Sequence, residues 1–250
     1  MRWLIFVFVV ALALASRSSS SLAEAPKSLL LDFSRPMDSI VRGSIPVEGK
    51  WKHYITLPKE PGKTVRDARE IERFIRVVPD DDKACQLRSR ENYVGVARLL
   101  DPRFASARRL TWKWSVTKHP HNGRLGENPN DQAILIYVFY REKLEEGGYD
   151  YTGLGFCWTA KTRKKTERLT AMMPWSNSPR ATIHHLSLRD GPAEGVQPQE
   201  VELVDEYRKV FKRDPPQIWG VVLLADSNSV APDIGVMTTD AIIRDIQFHL

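Results

Sequence analysis

The chain has 250 residues, of which 42% are hydrophobic, and 37 Lys and Arg stand against 31 Asp and Glu for a net charge of +6. That length and apolar content exclude a disordered chain and suit one domain with a substantial core. Two cysteines exclude a disulfide-dense scaffold, and the mild charge without a basic, aromatic-interleaved motif excludes a nucleic-acid binder.

The chain opens with Met1-Arg2 and an apolar run from Trp3 to Ala15, then polar Ser16–Ser21 and Leu22-Ala23-Glu24-Ala25. A basic start, a short apolar core and small residues near a cleavage point predict a secretory signal peptide. The run falls short of the ~20 residues of a membrane span. Cleavage after Ala23 is favoured over cleavage after Ala25, which would leave Pro26 first. The expectation is a signal peptide over 1–23, an N-terminal segment over 24–49 and a single domain over 50–250. The protein would be exported, periplasmic or extracellular, with no transmembrane segment after cleavage. Cleavage removes Arg2 and Arg17 and no acid, lowering the charge from +6 to +4. That balance suits acidic polymers, anionic surfaces or plain solvation.

In chain order, Leu29–Phe33 predicts a first strand, followed by turns around Pro36, Gly43, Pro46 and Gly49. Trp51–Leu57 predicts a short strand ended by Pro58, Pro61 and Gly62. Arg66–Arg73 predicts a helical turn, and Glu72–Val78, Ala84–Ser89 and Tyr93–Leu100 predict strands. In Leu110–Val116, apolar Leu110, Trp112, Trp114 and Val116 alternate with polar residues, the period of a half-buried strand. A loop over 118–132 leads to Ala133–Tyr140, apolar on both faces and therefore expected at the centre of a sheet. Arg141–Tyr151, charged and Gly-rich, predicts a loop. Leu154–Thr159 predicts a strand with Leu154, Phe156 and Trp158 on one face. A polar connection over 161–168, Leu169–Met173, a loop holding Trp175, and a strand over Ala181–Leu188 follow. In Val201–Phe211, Val204, Tyr207 and Phe211 share one stripe, which predicts one short amphipathic helix near 201–212, ended by Asp214-Pro215-Pro216. Ile218–Ala225 predicts a buried strand, Asp226–Ser229 a polar turn, and Ala241–Phe248 the closing strand. About ten short strands separated by turn signals predict an all-β sandwich or barrel.

The order of several motifs resembles a known family. These are the Leu110–Trp114 strand, the loop into Asn130-Asp131-Gln132-Ala133, Glu206-Tyr207-Arg208 before Phe211, the Val221–Ala225 strand into Asp226-Ser227-Asn228, and the closing Arg244-Asp245-Ile246. Together they resemble exported bacterial proteins known as domain of unknown function 3047, over most of 50–250. Members often carry a second acid where Asn130 stands and Asp-x-Asp-Asn where Asp226–Ser229 stands, so this chain has less local negative charge. The resemblance implies export and no activity. The family pattern is similar to jelly-roll carbohydrate-binding modules, which implies a jelly-roll-type β-sandwich; a fold does not set a function.

Asp131, Gln132, Asp226, Asn228 and Asp245 carry oxygens suited to Ca²⁺. Asp226, Asn228 and Asp245 are the metal candidates, for a structural Ca²⁺, against the reading that Asp226 and Asn228 only cap a turn. His119, His121, His184 and His185 carry nitrogens suited to a transition metal, but His184 and His185, adjacent in a strand, point to opposite faces and cannot chelate together. The aromatics Trp112, Trp114, Tyr137, Tyr140, Trp158 and Trp175 suit stacking on sugar rings, although Trp112 and Trp114 read as core. Trp175, in a polar loop, is the best surface candidate, with Asp131, Gln132 and Tyr140 as further ligand-binding candidates. Carboxylates Asp131, Glu142 and Asp226 are the catalytic candidates, with nothing selecting two of them. Cys85 and Cys157 form a candidate disulfide or two buried thiols. The reading is an exported, non-enzymatic β-sandwich that binds a carbohydrate or cell-envelope polymer. The alternatives are a polysaccharide hydrolase or lyase on the same fold, and a structural envelope protein with a protein partner.

Overall fold

The computed structural model describes residues 26–33, 38–39, 52–57, 60–64, 71–121, 123, 131–161, 166–172, 180–227 and 238–250. The described strands are β1 (Ser28–Leu30), β2 (Asp38–Ser39), β3 (Lys52–Leu57), β4 (Glu60–Thr64), β5 (Ile75–Val78), β6 (Asp81–Arg90), β7 (Tyr93–Leu99), β8 (Arg109–Lys118), β9 (Gln132–Lys143), β10 (Tyr149–Thr159), β11 (Thr166–Met172), β12 (Arg180–Asp190), β13 (Gln197–Glu202), β14 (Gln217–Asp226) and β15 (Thr238–His249). One α-helix is described, α1 (Leu203–Phe211), and a 3-10 turn covers Pro102–Phe104.

The strands form two sheets. The smaller has the order β13-β8-β15-β6-β5, with β1 also on β15; the larger has the order β11-β12-β10-β9-β14-β7-β3-β2, with β4 on β3. Neighbours are antiparallel except β10 with β12 and β2 with β3. The sheets face one another as a β-sandwich of the jelly-roll type.

Alternation builds the layer between the sheets. Leu110, Trp112, Trp114 and Val116 of β8 and Ala241, Ile243 and Phe248 of β15 meet Ile134, Ile136 and Val138 of β9, Leu154, Phe156 and Trp158 of β10, and Val221 and Leu223 of β14. Trp112 stands edge-on to Trp114 at 5.2 Å and meets Phe156 at 5.8 Å, while Trp114 meets Trp158 at 5.6 Å. The contacts with Phe156 and Trp158 join the two sheets, and such aromatic pairs contribute roughly 0.5–1.5 kcal/mol each beyond burial. Trp112 and Trp114 are core, as their phase predicts.

β9 lies between β10 and β14, and both of its faces are buried, as its unbroken apolar run predicts. β8, its neighbour in sequence, sits in the opposite sheet. Two expectations need correction, and a third, left open between a disulfide and two buried thiols, is decided. Arg141–Tyr151 is a hairpin rather than a loop: β9 runs on to Lys143, Gly147 and Gly148 turn the chain at φ 91° and 82°, and β10 begins at Tyr149. The helix starts at Leu203, because residues 197–202 pair with β8 as a polar edge strand that tolerates Pro198. Cys85 and Cys157 are free and buried in separate apolar clusters, one inside the sandwich on β6 and one on β10 of the other sheet, so no bridge joins them. Burial pushes the Cys85 thiol up to about 12 and the Cys157 thiol up as well.

The N-terminal segment contributes to the sandwich. β1 pairs with the end of β15, and Leu31 and Phe33 are fully buried in the core. Residues 1–25 and Trp175 lie outside the described residues, as do Asn130 and Asn228.

Candidate functional site

Alternation also leaves the larger sheet a second face, turned away from the smaller sheet. On β9 it carries Leu135, Tyr137, Phe139 and Arg141; on β10, Tyr149, Tyr151, Gly153, Gly155 and Cys157. β12 adds Ala181, Ile183 and His185, β14 adds Trp219 and Val222, and β7 adds Ala97 and Leu99. Most of this face is buried, Leu135 and Cys157 fully and Phe139, Ile183 and His185 nearly so; its accessible part is the end that carries Tyr149 and Arg141, with part of Tyr137.

At one end, Tyr149 packs on Tyr151 at 6.3 Å and Tyr151 on Trp219 at 5.0 Å. Arg141 stands directly opposite Tyr151, and its guanidinium lies 4.4 Å from the Tyr149 ring centre and 5.4 Å from that of Trp219. Trp219 reaches this cluster because β14 bulges between Ile218 and Gly220. Gly220 must be glycine, since a Cβ there would lie 2.8 Å from the Arg98 carbonyl oxygen. Tyr149 is 45% exposed, Tyr137 and Arg141 are half-buried, and Trp219 and Phe139 lie deeper. Burial raises the Tyr151 phenol, opposed by the charge of Arg141.

Further along the same face, Tyr137 packs on Phe139 at 5.7 Å and on His185 at 5.4 Å. Gly155 is the floor beneath them: a Cβ there would meet His185 Cδ2 at 2.7 Å and Tyr137 Cε1 at 2.8 Å. Glu167 of β11 stands opposite His185, its Oε2 at 3.8 Å from His185 Nδ1. From Tyr149 to Gly155 the face extends roughly 20 Å along β10 at ~3.4 Å per residue.

The sequence candidates fall elsewhere. Tyr140 is 1% exposed and points into the core, 4.7 Å from the Tyr207 ring, at the margin of a groove of about 660 Å³ beside α1. It is placed as a packing residue, not on the outward face. Asp131, Gln132 and Asp226 are buried at the end of the sandwich where β9 starts and β14 finishes. That end is a layer of buried polar groups: Ser89 and Ser227 hydroxyls bond at 2.6 Å, the Ser227 N–H donates to the Asn92 carbonyl, and the Thr239 hydroxyl donates to the Lys118 and Ala133 carbonyls. Asp131 and Asp226 take part in further interactions there. Glu142 lies at the opposite end of β9, roughly 35 Å from Asp131 at ~3.3 Å per residue. It faces Asp150, and Arg213 binds both carboxylates. Asp245 sits on the smaller sheet, at a β15 bulge with φ 53°, where Lys113 Nζ bonds it at 2.9 Å. Asp226 and Asp245 are therefore on different sheets, and the described residues contain no cluster of three acidic, His or Cys side chains fit for a metal. His184 and His185 do turn to opposite faces, as strand geometry requires.

Sequence reasoning missed Tyr149, Tyr151, Trp219, Arg141 and Glu167. The signal was present in Tyr149-Asp-Tyr151-Thr-Gly153-Leu-Gly155, whose odd positions are all aromatic or Gly. The charged, glycine-containing stretch before it obscured the strand.

A family model described as a protein of unknown function, DUF3047, matches residues 61–240. The chain belongs to the DUF3047 family. No curated protein matches it. Among solved structures, the chain is similar to a family 11 carbohydrate-binding module from a cellulosomal cellulase of Clostridium thermocellum, at 10% identity and TM-score 0.39, covering 89% of this chain and 94% of that one. It is similar to the family 11 xylanase of Neocallimastix patriciarum at 7% identity and TM-score 0.35, over 70% and 85% of the two chains. It is also similar to the xyloglucanase domain of an effector from Sinorhizobium fredii at 8% identity and TM-score 0.35, over 69% and 84%.

Proposed function

We propose that this DUF3047 member is an exported, non-enzymatic module that binds a glycan along the outward face of its larger sheet. The observation that carries the reading is the Arg141 guanidinium set between the exposed Tyr149 ring and the deeper Trp219 ring, with the half-buried Tyr137 further along the same face. Flat rings on a sheet present apolar area that matches the C–H faces of a sugar, and an Arg held between rings is oriented to donate to hydroxyls.

Catalysis is disfavoured by the spacing of acids. Glycoside hydrolysis uses two carboxyl groups roughly 5–9.5 Å apart. Glu167 of β11 and Asp226, buried at the end of β14, are four strand spacings apart, about 19 Å at ~4.8 Å each. The described residues of this face therefore carry no acid pair at that spacing, which favours recognition over hydrolysis.

The test is isothermal titration of the protein with cellotetraose and xylotetraose, comparing the parent with Tyr149→Ala, Arg141→Ala and, on the other sheet's outward face, Thr111→Ala. Binding by the parent and by Thr111→Ala, lost in the first two variants, is the expected result. Equal binding by all four would move the site elsewhere, and no binding by the parent would end the reading. Secretion of the precursor and sequencing of the mature N-terminus, expected at Glu24, tests export.

A further inference from the structure

The accessible end of the larger sheet's outward face is cationic. Arg141 and Lys143 lie on that face of β9, two residues apart and so separated by ~7 Å along the strand. Arg141 is half-buried; Lys143, directly opposite Tyr149 of β10, is exposed. Among the described residues neither cation forms an ion pair. Arg141 is held by rings instead, its guanidinium 4.4 Å from the centre of Tyr149 and 5.4 Å from that of Trp219. A guanidinium seated among apolar rings is ordinarily matched by an anion, since Arg is seldom sheltered from water without one.

The fold has acids close by and directs them elsewhere. Glu142 and Asp150, at the intervening positions of the same two strands, face the other way, and Arg213 binds both. Glu145 and Glu146 belong to the turn beyond β9 and pair with neither cation. Asp101, which follows β7, is taken by Arg103. Glu167 is on β11 at the far edge of the sheet, against His185. On the outward face of the smaller sheet the cations are matched: Lys113 with Asp245 at 2.9 Å, Arg88 with Asp240 at 3.0 Å, and Arg244 with Asp81. The larger sheet thus presents, beside its exposed Tyr149 ring, positive charge that the chain itself leaves unanswered.

We propose that this end of the face is a carboxylate subsite, and that the glycans it takes are acidic ones carrying uronate sugars. The inference rests on the glycan-binding reading of this face. The sugar lies with its C–H face on the Tyr149 ring, and its carboxylate accepts from the Arg141 guanidinium, whose planar fork suits both oxygens. Lys143, exposed at the rim, adds a second positive charge to the same anion. The rings hold the guanidinium in place before the ligand arrives, so less freedom is lost on binding. A net charge of +6 over the whole chain attracts an acidic polymer toward the face.

The experiment measures Kd for xylotetraose, for tetragalacturonate and for its neutral methyl ester, with the parent, Lys143→Gln and Tyr149→Ala, each first checked by thermal unfolding. The ester keeps the sugar and removes only the charge. The parent is expected to bind tetragalacturonate about tenfold more tightly than the ester, the scale of one charge-assisted hydrogen bond. That preference should fall several-fold in Lys143→Gln, an exposed position whose change leaves the core untouched. It should also shrink between about 50 mM and 500 mM NaCl, as screening of exposed charges requires. Tyr149→Ala should lose all three ligands. Equal affinity of the parent for tetragalacturonate and its ester, with xylotetraose bound and lost in Tyr149→Ala, would overturn the carboxylate subsite and leave the face standing. A preference unchanged by both Lys143→Gln and salt would overturn it as well. No binding of any of the three ligands by the parent would overturn the subsite and the face together.

Discussion

Gly155 and Gly153 sit two residues apart on one face of β10, and the structure assigns them different tolerances. A Cβ at position 155 would lie 2.7 Å from His185 Cδ2 and 2.8 and 2.9 Å from two carbons of the Tyr137 ring. At position 153 the nearest atoms are Phe139 ring carbons at 3.2 and 3.3 Å and Ile183 Cγ1 at 3.4 Å. Replacing Gly by Ala within a strand recovers roughly 0.5–1 kcal/mol of backbone entropy. At position 153 the crowding is slight, and Gly153→Ala should be close to neutral. At position 155 the His185 ring is buried and cannot swing to solvent, so overpacking costs about 1–3 kcal/mol. Gly155→Ala should therefore be less stable than Gly153→Ala by about 1–2 kcal/mol, or roughly 2–8 °C in melting temperature for a domain of this size. Urea unfolding of both variants measures the difference directly, with equal m-values as the check that only stability changed. Indistinguishable midpoints would mean that His185 and Tyr137 are not seated against Gly155, and the geometry argued for the outward face would be wrong.

Tyr140 and Tyr207 provide a second contrast. The Tyr207 hydroxyl bonds the buried Thr152 hydroxyl at 2.8 Å, whereas the Tyr140 hydroxyl is buried without a partner. Tyr207→Phe should lose about 1 kcal/mol in chemical denaturation, and Tyr140→Phe should lose nothing or gain; the reverse order would refute the core assignment of Tyr140. Thiol titration should find no reactive cysteine in the native protein and two after unfolding without reductant, because Cys85 and Cys157 are buried, free and raised in pKa; a single or absent thiol would refute this. Burial holds the imidazoles of His119, His184 and His249 below their ordinary value of 6.5. The unfolded chain then binds more protons than the folded one on the acid side. Stability is complete above about pH 6.5 and declines as pH falls toward the folded values. Melting temperature should drop between about pH 7 and pH 5.5, and the drop should shrink in His119→Gln; a flat profile would place these rings in solvent.

Much of the architecture is legible in the sequence. The period of two in Leu110–Val116 set the inward face of β8, and Trp112 and Trp114 lie where it put them. The unbroken apolar run of 133–140 placed β9 inside a sheet, because such a strand must bury both faces. The stripe of Val204, Tyr207 and Phe211 marked the helix. Even the opposition of His184 and His185 followed from strand geometry alone.

What only the tertiary structure decided was which strands become neighbours. Sequence states which face of a strand is apolar; it does not state which strand lies beside it, since pairing partners are far apart in the chain. β12 lies between β11 and β10, antiparallel to the first and parallel to the second, and β9 lies antiparallel to both β10 and β14; those pairings set Glu167 against His185 and Arg141 between Tyr149 and Trp219. The same cause misled the candidate sites. Asp226 and Asp245 read as one oxygen-rich group along the sequence, but sheet assignment separates them. Cys85 and Cys157 read as a bridge or as two buried thiols, and their separate layers decide for the thiols. Local periodicity is written in the side chains of each strand, whereas lateral order is a property of the whole packed chain.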